Sequence, residues 1–228
     1  MSLSIIIPAL NEAEHIVTTL DGLQPLRRRG VEVIVADGGS TDATVTLAQP
    51  AADRVITTER GRAWQMNAGA AAATGEILCF LHADTQLPEN ADGLIIDGLA
   101  RARRSWGRFD VDIAGGHPML KVIARMMNWR SHLTGIVTGD QAIFITRSLF
   151  EAAGRFPEIP LMEDIALSRQ LKVYSRPLCI AHRLTTSGRR WEQQGLWRTV
   201  LLMWRLRLAY WLGADPRELA ARYVRQQS

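Results

Sequence analysis

Apolar residues fall in short, nearly unbroken runs through the first half of the chain, and segments of three-and-four spacing separate them. Residues 3–7, 31–36, 54–57 and 77–81 read as strands, the first, second and last buried on both faces. Between them, residues 13–23 carry Ile16, Val17, Leu20 and Leu23 on one helical face. Ser40 or Thr41 caps a short helix that runs to about residue 47, and residues 62–73 form an alanine-rich helix stopped by Thr74-Gly75. Strands alternating with helices predict an α/β fold with a mostly parallel sheet and right-handed crossovers. In such a sheet, ligands bind beyond the carboxyl ends of the strands. Asn11-Glu12, Asp37-Gly38-Gly39-Ser40 and His82-Ala83-Asp84 follow three of the predicted strands, which gathers acidic side chains at one edge.

The second half is less regular. Residues 120–133 read as a Met-rich helix, 142–145 as a short strand and 147–153 as a helix closed by Gly154. A short helix starts near Asp164, and two helices, about 193–212 and 216–225, end the sequence. No internal repeat or long linker appears. The expected organisation is one domain: residues 1–90 and 91–192 as its halves, with 193–228 as a helical extension.

Composition narrows the class. With 228 residues, 47% hydrophobic and 22% charged, the chain is long enough to fold without disulfides or a structural metal. Cys79 and Cys179 lie in apolar runs, which fits buried thiols in a reducing cytoplasm. Residues 1–8 show no basic n-region, so no secretory signal is expected. Residues 196–212 are apolar but hold Arg198, Arg205 and Arg207, each costing about 2.5–3.5 kcal/mol at a bilayer centre, so no span is expected there. The formal charge is +4, and from Arg183 onward nine arginines face three acidic residues, while the remainder carries 18 basic and 20 acidic ones. A basic excess confined to the tail, without a nucleic-acid motif, argues against nucleic-acid binding.

Four strings carry the chemistry: I-I-I-P-A-L-N-E at 5–12, V-I-V-A-D-G-G-S-T-D at 33–42, R-G-R-A-W-Q-M-N-A-G at 60–69 and G-E-I-L-C-F-L-H-A-D at 75–84. In this order and spacing they resemble family-2 glycosyltransferases. The likeness continues through Met162-Glu163-Asp164 and Gly188-Arg189-Arg190-Trp191. It is greatest to the short bacterial members without transmembrane segments, including a group associated with arsenosugars and radical enzymes. The resemblance implies a GT-A, Rossmann-like fold and transfer from a nucleoside-diphosphate sugar, UDP first and GDP second, to an acceptor hydroxyl that the sequence does not identify. Configuration would invert in a single, nonprocessive transfer.

The resemblance also assigns residues. Pro8, Ala9, Leu10 and Glu12 would line the nucleotide pocket. Asp37 would bind the base, against the alternative that Asp-Gly-Gly-Ser is a plain turn. Arg62 opens a helix, where a cation is disfavoured, and so is a candidate for base or phosphate contact, with Arg60 its competitor. Asp84 would ligate Mn²⁺ or Mg²⁺ bridging the diphosphate. The family usually has a second acidic residue where this chain has His82. That imidazole is either a ligand that tilts preference toward Mn²⁺ or a hydrogen-bonded bystander. Asp164 would be the general base, with Glu163 supporting it, against the alternative of an acidic pair at a helix start. Asp140 and Gln141 would reach sugar or acceptor. Arg189, Arg190 and Trp191 would line the acceptor or diphosphate site, and His182 is a candidate third metal ligand. The last string is similar to the Gln-x-x-Arg-Trp signature of processive synthases, but Ser187 replaces the Gln.

Trp197, Trp204 and Trp211 recur at sevens with Leu201 and Leu208 in one stripe, flanked by arginines. Leu202 and Leu206 on the opposite side favour a helix buried on both faces, against the core or a second copy in a homodimer. Peripheral contact with the inner face of a membrane is the alternative. Two rival functions remain: a sugar nucleotidyltransferase, for which Asn11-Glu12-Ala13-Glu14 offers no phosphate loop, and a noncatalytic nucleotide-sugar-binding or membrane-docking module.

Overall fold

Strands β1 (Leu3–Ala9), β2 (Glu32–Asp37), β3 (Arg54–Thr57) and β4 (Ile77–Phe80) alternate with helices α1 (Ile16–Arg28), α2 (Thr44–Ala48) and α3 (Arg62–Ala72), as the apolar runs predict. The computed structural model describes residues 1–225, with the side chains of Arg190, Gln193, Gln194, Val224 and Arg225 outside the described set. The second half adds β5 (Thr85–Gln86), α4 (Ala91–Ala102), β6 (Trp106–Ala114), α5 (Met119–Thr134), a 3₁₀ turn (Gly139–Gln141), β7 (Ile143–Thr146) and α6 (Arg147–Ala152). It ends with α7 (Glu163–Tyr174), β8 (Leu178–Ser187), α8 (Arg189–Gln194), α9 (Leu196–Trp211) and α10 (Pro216–Arg225).

All eight strands join one sheet in the order β3-β2-β1-β4-β7-β6-β8-β5. β7 is antiparallel to β4 and β6, and β5 is antiparallel to β8; the other neighbouring pairs are parallel. Six strands therefore run one way and end on one edge, where the loops after β1, β2, β4, β6 and β8 gather.

The unbroken apolar runs are explained by burial on both faces. Ile5, Ile7, Val33, Val35, Ile77 and Cys79 point into the core beneath α1, α4 and α5. Ile6, Ile34, Leu78 and Phe80 point into the opposite core, under α3, α6 and α7. Gly69 of α3 lets that helix lie on Ile6, since a Cβ there would stand 2.3 Å from the Ile6 methyl. Arg147 ties the end of α3 to the start of β4, donating to the carbonyls of Ala70, Ala73 and Gly75 at 2.8–2.9 Å.

Three expectations change. Helix α1 continues through Pro25 to Arg28 because Leu26 is fully buried, and its burial offsets much of the roughly 3 kcal/mol an internal proline costs. The helix expected at 193–212 divides at Gly195, whose φ of 81° ends α8 and begins α9. Third, α9 is not buried on both faces: Leu202 and Leu206 are, but Trp197, Trp204 and Trp211 are 60–70% exposed. Both cysteines are free thiols, Cys79 buried and Cys179 half-buried. No helix among the described residues is long and apolar enough to cross a membrane.

Gly107 sits where β6 passes between β7 and β8. A Cβ there would meet the Leu178 carbonyl oxygen at 2.4 Å and the Phe144 ring at 2.6 Å. Gly107→Ala is expected to lower stability by about 1–3 kcal/mol, seen as a lower urea midpoint with an unchanged slope. An unchanged midpoint would refute this account of the strand packing.

Candidate active site

Beyond the carboxyl edge of the sheet lies a cavity of about 520 Å³. Pro8, Ala9, Leu10 and Glu12 from the end of β1, Arg60 to Arg62 from the start of α3, and His82 to Asp84 after β4 form its first-half wall. Asp140, Thr186, Ser187, Arg189, Trp191 and Tyr223 close it from the second half. A second cavity of about 260 Å³ adjoins it, lined by Glu163, Asp164, Thr138 and Gly139 with Met203 and Arg207 of α9. Arg62, His82, Asp140 and Tyr223 line both and so form the wall between them.

The first cavity owes its floor to Gln65, which is 3% exposed. Its Nε2 donates to the carbonyls of Ala9 at 2.7 Å and Ala36 at 2.9 Å, the ends of β1 and β2. The motif strings do not single out Gln65, although its place one turn after Arg62 on the same face of α3 is a usable signal. Tyr223 and Arg207 escape sequence reasoning because they come from the C-terminal helices, whose docking over the site no local pattern encodes.

Asp37 meets both of its readings. Its Oδ2 accepts from the backbone N–H groups of Gly39 at 2.9 Å and Ser40 at 3.0 Å, as a turn residue would. Its Oδ1 is buried without a hydrogen-bond partner among the described residues, as a waiting acceptor would be. Asp37 itself lies behind the cavity's lining residues. Asp42 caps the turn before α2 through Thr44.

Glu12 is half-buried, with Arg189 Nη2 at 3.6 Å from its Oε2. That oxygen has no hydrogen bond among the described residues. Burial and the neighbouring Asp84 raise its carboxyl above the ordinary value, against the pull of Arg189. Arg189 also approaches Glu14 at 3.5 Å and thus ties α8 to the loop after β1. Trp191 lines the cavity as expected, while the Arg190 side chain lies outside the described residues.

His82 turns its Nδ1 to Asp140 Oδ1 at 3.3 Å. Its Nε2 lies against Gly139, where a Cβ would stand 2.3 Å away. The imidazole thus packs against the 139–141 turn with one nitrogen near Asp140. His182 is exposed on β8 and lines neither cavity, so it does not join the metal-ligand candidates. Gln141 is a further correction. It is fully buried, its amide donates to Ser131 Oγ at 3.0 Å, and it reaches neither cavity.

The acidic pair at the start of α7 divides its tasks. Asp164 accepts from Gly139 N–H at 2.9 Å and Ile165 N–H at 2.7 Å, so its carboxylate is fixed in orientation. Glu163 is 5% exposed. Burial, and then the charge of Asp164, push its carboxyl up to about 7. Arg62 works against that rise. Burial disfavours the Arg62 cation, but Glu163, Asp140 and Asp164 outweigh it and hold the guanidinium more firmly protonated. Non-glycine residues with left-handed φ stand beside this machinery: Asn11 (54°), Ala142 (48°) and Met162 (69°). Such strain persists only where surrounding contacts impose it, and it clusters at functional sites.

Among the described residues no three His, Cys, Asp or Glu side chains converge as a metal cage. Asp84, with Glu12 beside it, instead suits an ion that takes one or two carboxylates and fills its shell with substrate phosphate oxygens.

Known proteins resemble this chain in sequence and in fold. The family model described as Glycosyl transferase family 2 matches residues 4–150. A PGL/p-HBAD biosynthesis glycosyltransferase of Mycobacterium bovis is 34% identical over 171 residues, covering 67% of this chain and 62% of the relative. The chain thus spans less than two thirds of the length of that relative. The structure of S. aureus TarS 1-349 in complex with UDP-GlcNAc superposes with a TM-score of 0.66 at 17% identity, over 82% of this chain and 58% of that one. Mannosyltransferase PcManGT of Pyrobaculum calidifontis, in complex with GDP-Man and Mn²⁺, gives 0.64 at 23% identity, over 91% and 60%. At these identities the structural likeness establishes the fold, which is GT-A.

The Glu163 shift carries a pH consequence. Its carboxyl titrates near 7 in the folded chain against 4.5 ordinarily, so the folded state keeps a proton that the unfolded chain releases between those values. The stability this contributes is full below about pH 4.5 and is lost as pH rises through about 7. Glu163→Gln cannot ionise, and it is expected to gain in melting temperature over the parent as pH goes from 5 to 8. A difference independent of pH would refute a proton held on Glu163.

Proposed function

The chain belongs to glycosyltransferase family 2, and on that premise we propose that it is a glycosyltransferase carrying out an inverting, nonprocessive transfer from a nucleoside-diphosphate sugar to an acceptor hydroxyl. The observation that carries this reading is the pair of adjoining cavities. One is walled by Glu12, Arg62 and Asp84, the other holds Asp164, and Arg62, His82 and Asp140 separate them.

The donor occupies the first cavity. The base reaches past the cavity's lining residues toward the unpaired Oδ1 of Asp37, and UDP is the first choice and GDP the second. The complexes of TarS with UDP-GlcNAc and of PcManGT with GDP-Man support donors of this kind. Arg62 and Arg189 offer guanidinium groups to the diphosphate. Asp84 would hold Mn²⁺ or Mg²⁺, which when bound neutralises charge on the departing diphosphate. His82 orients Asp140 rather than ligating.

The acceptor enters the second cavity. Its hydroxyl oxygen attacks the anomeric carbon, a new C–O bond forms there, and the bond to the diphosphate breaks with its electron pair leaving on phosphate oxygen. Asp164 takes the hydroxyl proton. Its two backbone hydrogen bonds fix its direction and leave further lone pairs to accept. Glu163 acts on the Arg62 guanidinium through its charge, at the boundary between the two substrates.

The test separates binding from turnover. A ligand that binds only the folded state raises the melting temperature. UDP or GDP compounds are expected to do so with Mn²⁺, and Asp84→Ala is expected to abolish the metal-dependent part. Asp164→Asn should keep the shift while slow hydrolysis of the bound sugar nucleotide falls about 10²-fold or more. Hydrolysis at the parent rate in Asp164→Asn would refute its role as base. No shift with any nucleotide would refute the donor site.

A further inference from the structure

Among the described residues no apolar cluster covers the tryptophan stripe on the outer face of α9. Trp197 is 65% exposed, Leu201 54%, Trp204 60%, Leu208 57% and Trp211 70%, in one line along the helix. The opposite face is in use: Leu202 and Leu206 pack with Met162, Ile165 and Leu219. That packing fixes the rotation of the helix, so the tryptophans face outward by construction. The three indoles alone expose on the order of 400 Å², and with Leu201, Leu208 and Leu212 the patch exceeds what a monomeric soluble protein ordinarily leaves uncovered.

Charge selects the occupant. Arg198 and Arg205 stand exposed beside the stripe, Arg207 turns into the second cavity, and residues 196–211 contain no acidic residue. Helix α5 repeats the pattern. Val122, Met126, Trp129 and Leu133 are exposed in one line, accompanied by the exposed Lys121 and Arg125, again with no acidic residue. The two helices are near neighbours, since Arg207 helps burial hold the Arg130 guanidinium down at about 10. A second copy pairing through α9 would bring arginines together with no acidic side chain on either helix to receive them. An anionic lipid headgroup layer supplies that counter-charge, and indole rings favour the depth between headgroups and acyl chains.

We propose that the Trp197–Trp211 face of α9 seats the protein on the surface of an anionic lipid bilayer, with the helix lying in the interface. Three arginines in a 16-residue helix suit lying on a membrane rather than crossing it. The inference concerns where the protein sits and stands without the reaction proposed above. Met203 and Arg207 of the same helix line the second cavity, so the seated face and that cavity share one wall.

Flotation of the full chain with vesicles tests it, using phosphatidylcholine alone and an equimolar mixture with phosphatidylglycerol. Retention is expected on the anionic vesicles at 50 mM salt and to fall at least tenfold at 500 mM or on the neutral ones. Replacing Trp197, Trp204 and Trp211 together by Ser is expected to lower retention at least tenfold, with the melting temperature unchanged because these side chains are exposed. Arg198→Glu with Arg205→Glu is expected to do the same without altering the apolar stripe. No retention on anionic vesicles at 50 mM salt would overturn the proposal, as would retention that neither variant reduces. A parent chain that sediments as a dimer, and as a monomer once the tryptophans are replaced, would also overturn it by assigning the face to a second copy.

Discussion

A single primary amide, that of Gln65, governs how the first two strands end. Close to the ends of β1 and β2, Gln65 Nε2 donates to the Ala9 carbonyl at 2.7 Å, beside the bond that carbonyl accepts from Gly38 N–H, and to the Ala36 carbonyl at 2.9 Å. The two bonds tie the strand ends together and fix the rotation of α3. Gly38 permits the approach, since a Cβ there would meet the amide at 3.0 Å. Once α3 is set, Arg62 stands one turn earlier on the same face, between the two cavities. The donor wall, the boundary guanidinium and the loop bearing Asp37 therefore share one anchor.

Around that anchor Arg62, Glu163, Asp140 and Asp164 form one group of charges that act on each other. Glu163 is buried, and that burial opposes its ionisation. Glu163 has given way, its carboxyl raised to about 7, while Asp164 is tied by two backbone N–H groups. The left-handed Met162 immediately before the pair aims α7 at the site. Orientation is thus settled by backbone and packing before any substrate arrives, which is the economical way to stabilise developing charge.

Features governed by local rules were legible in the sequence. Strands buried on both faces read as apolar runs, and the acidic residues closing them read as a site. Features that depend on distant packing were concealed. Strand β6 carries Arg108, Asp110 and Asp112, a pattern foreign to a buried strand. Yet Arg108 is 1% exposed, because it pairs with Asp110 and donates to the Asn128 carbonyl. Strand β8 shows three consecutive exposed residues, Ala181 to Arg183, beside the register shift after Phe109 that bends the ladder away from a regular period. Gln141 looked like a ligand because a polar residue beside Asp140 can point either way; the fold spends it on Ser131. The tryptophan stripe was legible as a stripe, but which side of α9 met the core was decided by Met162 and Ile165, some 40 residues away.

The loop bearing Asp84 is held from both halves of the chain: Thr19 Oγ1 of α1 donates to the Ala83 carbonyl at 2.7 Å. Immediately after Asp84, β5 pairs with the end of β8, Thr85 donates to the Thr186 hydroxyl at 3.0 Å, and Ser187 N–H reaches the Asp84 carbonyl at 3.2 Å. Residues a hundred positions apart must be together before the donor carboxylate has a fixed address. The two halves are consequently poor cassettes. Exchanging the second half for that of a relative would have to bring a strand that still fits Thr85, or it would unseat Asp84. Change that leaves this address intact is therefore confined to segments that touch neither strand, such as the turn around residue 139 and the helices beside the second cavity.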